Sequence, residues 1–421
     1  MFALLFALGL VAYVQQKSLT IAAARMMPQL GLSQLQLGWL EQAFIIGYAI
    51  FQLPGGLLGQ RLGARSALTL YGLTAFCAVI ATPLLPEYLT GTTLFGALLL
   101  AQLLLGLSQG GLFPVSAGVF ATWFPARQWS LVEGLGTMGL GLGAALTAPL
   151  IATLMVAFGW QQALLWSAAP GLLVTLFWLH YARNTPREHR AVSAAELAEL
   201  GAMQSASIER RIGWRRLGEI LCERNTRLIA GSYLAMNYSF YLLSNWCFLY
   251  LLQERHFSVL ASGWLAMAPP LASAFGAGLG GVLTMQCCER FGIVHGLRLV
   301  PVCALLAAAI LLPSATRVGD PYVALAALTL CFGLVELTEG AYWGATIRLG
   351  GPYAMIVGGI VNACGNLGGI IGIPIVAYLS GRHRWDLAFL IGSLTALISA
   401  LIWLGINPTT SATRLVAAQA K

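Results

Sequence analysis

Long apolar runs separated by short polar gaps fill almost the whole 421-residue chain. A helix needs about 20 apolar residues to cross about 30 Å of hydrocarbon. Twelve runs approach or exceed that length, near 2–26, 37–58, 66–85, 94–121, 131–157, 161–182, 228–252, 260–285, 296–313, 321–347, 354–379 and 386–406. They lack the apolar–polar alternation of a membrane barrel, so each is expected as a helix that satisfies its own backbone groups. The pattern predicts an all-α integral membrane protein with twelve transmembrane helices in a lipid bilayer. One gap is long, from Arg183 to Arg227. It divides the chain into a six-helix half over 1–182, a linker over 183–227 and a second six-helix half over 228–421. Within the linker, S193-A-A-E-L-A-E-L200 reads as a short surface helix capped by Ser193.

The two halves echo each other. P149-L-I-A-T-L154 is followed by Trp160, and P374-I-V-A-Y-L379 by Trp385, at the same proline-to-tryptophan distance. Glycines crowd upstream of both prolines: Gly136, Gly139, Gly141 and Gly143, then Gly365, Gly368, Gly369 and Gly372. G55-G-L-L with R61-L-G63 is echoed by G280-G-V-L with R290-F-G292, with a longer insert. Two parallel six-helix copies place a site at their interface, near the bilayer midplane. The glycine rows allow close helix approach.

Composition agrees with a membrane solvent: 58% of residues are hydrophobic and 9% charged, against roughly 25% charged in soluble domains. The net charge of +8 does not point to nucleic acid, because the arginines sit in gaps between runs and form no basic face. They set orientation instead. With the N-terminus and the linker on one side, that side receives seventeen basic residues and the other five, Arg25, Arg255, Arg317, Arg382 and Arg384. The first side is therefore expected to be cytoplasmic, with both termini there. The first run lacks a positive leader region, so A22-A-A24 is read as part of a retained span rather than a cleavage site.

Eight scattered cysteines form no CxxC pair or Cys/His cluster, so neither a metal site nor a disulfide framework is expected. G134-L-G-T-M-G139 spells a dinucleotide fingerprint but follows no strand. N237-Y-S239 spells a glycosylation acceptor inside a span. No nucleophile–base set, P-loop or cofactor motif is present, so the chain is not expected to be an enzyme.

G55-G-L-L-G-Q-R-L-G-A-R65 resembles the loop signature of the major facilitator superfamily, Gly-x-x-x-Asp-Arg-x-Gly-x-Arg, between spans two and three. Gly56, Arg61, Gly63 and Arg65 match, and Gln60 stands at the acid. The resemblance implies that this loop steadies the cytoplasmic gate. F113-P, W123-F-P-A-R127, Gly134, G159-W160, E339-G-A-Y-W343 and G358-G-I-V-N-A-C-G-N-L-G-G369 are similar to the anion:cation symporter branch, which carries hexuronates, galactonate, phthalate and sialic-acid-type solutes. The branch often shows Tyr-x-Asp-Arg in span one. Here Tyr13 is kept, and Gln15 and Gln16 replace the charged pair. Gln102 and Gln109 stand where span four of the branch often carries Arg and Glu.

Ionisable groups left inside spans are candidate functional residues, since a charge at mid-membrane costs roughly 2.5–3.5 kcal/mol or more. Tyr13, Gln16, Lys17, Thr20 and Ala24 share one helical arc. Lys17 lies too deep to snorkel and is expected to face a cavity. Glu336 and Glu339, three residues apart in span ten, are candidates for proton coupling, or for a structural pairing with Lys17 or an asparagine. Asn237, Tyr241, Ser244 and Asn245 form a polar face of span seven, and Asn362 with Asn366 one of span eleven. Gln109, Tyr48 and Trp343 complete the candidate substrate set.

The reading is a monomeric secondary transporter of a small organic anion in a bacterial inner membrane, working by alternating access with no cofactor, driven by a proton gradient through Glu339 or Glu336 or by the solute gradient alone. Export, uncoupled passage of another metabolite, and a non-transporting receptor or structural protein are the alternatives. Ala148 before Pro149 departs from the Gly-Pro that ends span five of drug antiporters.

Overall fold

The computed structural model describes residues 1–200, 212–254 and 267–409. Arg210, Arg211, Arg255, Arg414, Lys421 and the start of the run at 260–285 fall outside them. Within the described residues the chain is helical throughout, and no strand occurs.

Twelve spans follow in order. Spans 1 to 3 are Phe2–Leu30, Gln34–Leu62 and Ala64–Leu84. Span 4 comprises Gly91–Gly110 and Leu112–Trp123. Spans 5 and 6 run over 129–158 and 160–181, parted by Gly159 at φ 85°. Span 7 is Arg224–Gln253, span 8 Ala268–Phe291 and span 9 Ile293–Arg317. Span 10 comprises Pro321–Glu336 and Glu339–Gly350. Spans 11 and 12 are Ala354–Ser380 and Trp385–Trp403.

Local chemistry sets these boundaries. Ser33 and Gln36 form a reciprocal capping box at the start of span 2. Asp320 accepts from the Tyr322 and Val323 amides, with Pro321 at the first helical position of span 10. In the linker, Ser193 and Glu196 cap Ala194–Leu200 as expected.

The echoes seen in the chain have structural counterparts. Gly63 ends span 2 at φ 83°, ψ 153°, and Gly292 ends span 8 at φ 80°, ψ 163°. These are two copies of one turn in a backbone region open almost only to glycine. Trp160 and Trp385 both start the span that follows the proline-bearing helix, and both are buried.

Two runs expected to be unbroken are interrupted. Span 4 breaks at Gly111, where the Tyr71 ring takes the space a Cβ would fill. Span 10 breaks at Leu337 and Thr338, where Thr338 N–H bonds Val335 O and Ala341 N–H bonds Thr338 O in tightened turns. The breaks occupy matching positions, in the fourth span of each set of six.

Between the two sets, span 5 packs on spans 8 and 10, and span 11 packs on spans 2 and 4. Glycines bring the backbones together: a Cβ on Gly134 would meet Ala277 O at 2.5 Å, and one on Gly340 would meet Ser130 O at 2.7 Å.

Candidate functional site

A cavity of about 230 Å³ lies between the two six-helix sets. Its wall carries Tyr13, Gln16 and Lys17 from span 1, and Tyr48 from span 2. Span 7 contributes Asn237, Tyr241, Ser244 and Asn245; span 10 contributes Glu336 and Glu339; span 11 contributes Asn362 and Asn366. Residues separated by hundreds of positions thus converge on one volume. Phe113, just after the span 4 break, and Glu339, just after the span 10 break, face the same space. Interrupted helices at a repeat interface are where a solute site is built, because the freed backbone lines a cavity instead of lipid.

Lys17 forms no ion pair or hydrogen bond among the described residues. The carboxylate whose charge reaches it is Glu41, which accepts from the Thr20 hydroxyl at 2.9 Å. The pairing of Lys17 with Glu336 or Glu339, one reading of the sequence, is not formed. Lys17 thus presents an unpaired ammonium to the cavity.

Glu339 is engaged. Its Oε2 accepts from Trp343 Nε1 at 2.9 Å and from the Tyr233 hydroxyl at 3.3 Å. Glu336 makes no hydrogen bond among the described residues and is buried. The tightened turn keeps both carboxyls on the cavity side, although the helix they were expected to share is broken between them.

The amides are unequal. Asn237 Nδ2 donates to Tyr233 O at 2.9 Å, and Asn366 Nδ2 to Asn362 O at 2.8 Å, both within their own helices. Asn366 Oδ1 accepts from the Tyr241 hydroxyl at 2.9 Å. Asn362 Nδ2 reaches across to Gln52 Oε1 of span 2 at 2.8 Å.

Two candidates lie elsewhere. Gln109 faces away from the cavity and donates to Ala12 O at 3.1 Å, inside the first six spans. Trp343 is buried behind the wall, stacked on Phe113 at 5.6 Å, and donates to Glu339. Gln15 and Gln102 also turn inward: Gln15 is buried against Gly171 and Gln102 donates to Thr82 Oγ1 at 3.4 Å.

Three buried residues with no place in the sequence reading stand here. Gln52 is 0% exposed, and its Nε2 has no partner. Tyr233 holds Glu339. Glu133 of span 5 is 3% exposed with Oε1 unpartnered. Each interrupts an apolar run as Lys17 does. Gln52 and Tyr233 each sit one turn, four residues, from the candidates Tyr48 and Asn237.

The end of the molecule that carries the linker is closed. Gln60 Nε2 donates to Pro352 O at 2.9 Å. Arg348 donates to Ala126 O at 2.6 Å and lies over the Trp129 ring. A Cβ on Gly56 would meet Met355 O at 2.3 Å. Arg65 is held by the first six spans and the start of the linker: its N–H donates to Asn184 Oδ1 at 3.0 Å, and its guanidinium donates to Leu179 O at 2.8 Å. Arg61 is exposed. At the opposite end, among the described residues, Thr20, Ser244 and Asn245 are exposed.

Residues 5–356 match the Major Facilitator Superfamily. The chain belongs to that family. A Major Facilitator Superfamily protein is a multi-pass membrane transporter and not an enzyme. The chain is 28% identical over 403 residues to "Probable sulfoacetate transporter SauU" of Cupriavidus necator, covering 94% of this chain and 91% of that one. It is 26% identical over 402 residues to a hexuronate transporter of Bacillus subtilis, covering 94% and 92%. Its fold is similar to that of the proton:xylose symporter XylE, with a TM-score of 0.76 at 14% identity over 96% of this chain and 95% of that one.

Proposed function

We propose that this facilitator-family protein is a secondary transporter that moves a small organic anion, a carboxylate or sulfonate, by alternating access. The observation that carries the reading is the unpaired Lys17 ammonium in a cavity between the two helix sets. A half-buried cation at mid-membrane with no ion pair is costly, and a ligand anion would offset that cost. The relatives named for sulfoacetate and hexuronates support an anionic solute of similar size.

In this reading, residues 1–182 and 228–421 rock against each other about the cavity, joined by the linker 183–227. Tyr13, Gln16, Tyr48, Asn237, Tyr241, Asn245, Asn362 and Asn366 bind the solute's hydroxyl and carboxyl oxygens around Lys17. Glu336 and Glu339 take up and release a proton. Gly56, Gln60, Arg61, Gly63 and Arg65 belong to the gate, which is closed here at the linker end. The arginine asymmetry supports placing that end in the cytoplasm of a bacterial inner membrane, so the cavity faces outward. The protein works as a monomer, because each chain contains a whole cavity.

The test is a thermal-shift screen of the purified protein against sulfoacetate, hexuronates and aldarates, followed by uptake in proteoliposomes. At least one anion is expected to raise the melting temperature of wild type and not of Lys17→Ala. A shift of equal size in Lys17→Ala, or a response to neutral sugars alone, would sink the reading.

A further inference from the structure

Beneath the main cavity, toward the linker end, lies a second and smaller one of about 30 Å³, lined by Glu133, Thr137 and Ser116 among apolar neighbours. Phe113, Thr137 and Leu140 line both cavities, so one layer of side chains parts them. Glu133 Oε1 and Thr137 Oγ1 are both buried without a hydrogen-bond partner. They lie four residues apart, on one face of span 5. The space is roomy enough for a water molecule and polar enough to hold one.

Glu133 adjoins a close contact between the two helix sets, while its own side chain faces spans 1 and 4 of the first set. Neighbouring Gly134 meets Ala277 and Gly281 of span 8, and Ser130 meets Gly281, Gly340 and Gly344. The charged groups of span 10 that act here are Glu339, whose charge reaches Glu133, and Arg348, which is engaged by Ala126 O and the Trp129 ring. Spans 1, 4 and 8 bring no titratable side chain to the small cavity.

We propose that Glu133 is a proton-binding site that couples protonation to opening of the linker-end seam. With the seam closed, an ionised Glu133 would be a buried charge with no counter-ion, so the closed state holds the neutral acid. When the seam opens, water reaches the carboxyl, and its O–H proton leaves to the linker side. A proton from the main cavity, passed through water beside Thr137, restores the acid and allows closure. Acid therefore closes the seam and alkali opens it. This rests on the alternating-access reading, and it adds a third carboxyl to the two proposed in span 10.

The test needs no transported solute, so its failure is separable from failure of the anion assignment. Purified protein in lipid nanodiscs is titrated with acid and base while infrared spectroscopy follows protonated carboxyls. Amide hydrogen exchange of peptides covering 129–140 and 339–350 is followed over the same range, corrected for intrinsic rates. Wild type is expected to show a carboxyl band that Glu133→Gln lacks and Thr137→Val shifts, and faster corrected exchange as pH rises. Glu133→Gln, locked neutral, is expected to exchange slowly at every pH. A Glu133→Gln spectrum that superimposes on wild type, or the same pH-dependent exchange in both, would overturn the proposal. Loss of the band on adding sodium but not potassium would overturn it too, by making Glu133 a sodium ligand.

Discussion

Asn362 of span 11 donates to Gln52 of span 2 at 2.8 Å, and this bond crosses between the two helix sets beside the cavity. Gln52 is fully buried and its own Nε2 has no partner. Replacing Asn362 by Ala leaves a second polar atom of Gln52 unsatisfied. Such a loss costs about 1–3 kcal/mol. The expected outcome is a lowered melting temperature for Asn362→Ala. Gln52→Leu combined with Asn362→Leu should recover much of it, because both polar partners are then gone. A double-mutant cycle by thermal denaturation reads the coupling.

Lys17→Ala should leave the melting temperature of the empty protein unchanged or higher, since a half-buried cation with no ion pair is removed. Anion affinity, measured by isothermal titration, should fall by at least about tenfold, or about 1.4 kcal/mol. Lys17→Arg should retain part of it, because the charge stays while the reach changes.

Glu339→Gln keeps an acceptor oxygen for Trp343 and Tyr233 and removes the ionisable group. In proteoliposomes, accumulation driven by a pH gradient should be lost while counterflow persists. Equal loss of both would make Glu339 a binding group rather than a coupling group.

Gly56→Ala sets a Cβ against Met355 O, where only 2.3 Å is free. Forcing atoms into a packed contact costs about 1–3 kcal/mol. The variant should shift the population toward an open linker end, read as faster hydrogen exchange at 351–356. Gly38→Ala, with nothing within 4 Å of its Cβ, is the control that should not.

Much of the architecture was legible beforehand because it depends on local quantities. Apolar length counts spans, Ser193 marks a linker helix start, and the echo of R61-L-G63 in R290-F-G292 marks matching turns. The two breaks were not legible. Gly111 lies in a glycine-rich stretch like several unbroken ones, and its turn is decided by the Tyr71 ring arriving from span 3.

The chain by itself determined a twelve-span transporter with a lone lysine in its first span, because hydrophobic length and the depth of a charge are properties of a few consecutive residues. Only the tertiary structure decided which polar side chains meet. Gln15 and Gln16 are neighbours, yet one is buried against Gly171 and the other faces the cavity, because one helical step turns a side chain by about 100°. Gln109 turned to Ala12, and Glu133 emerged from a glycine run as a buried acid, for the same reason: the partner that gives each face its meaning comes from another helix.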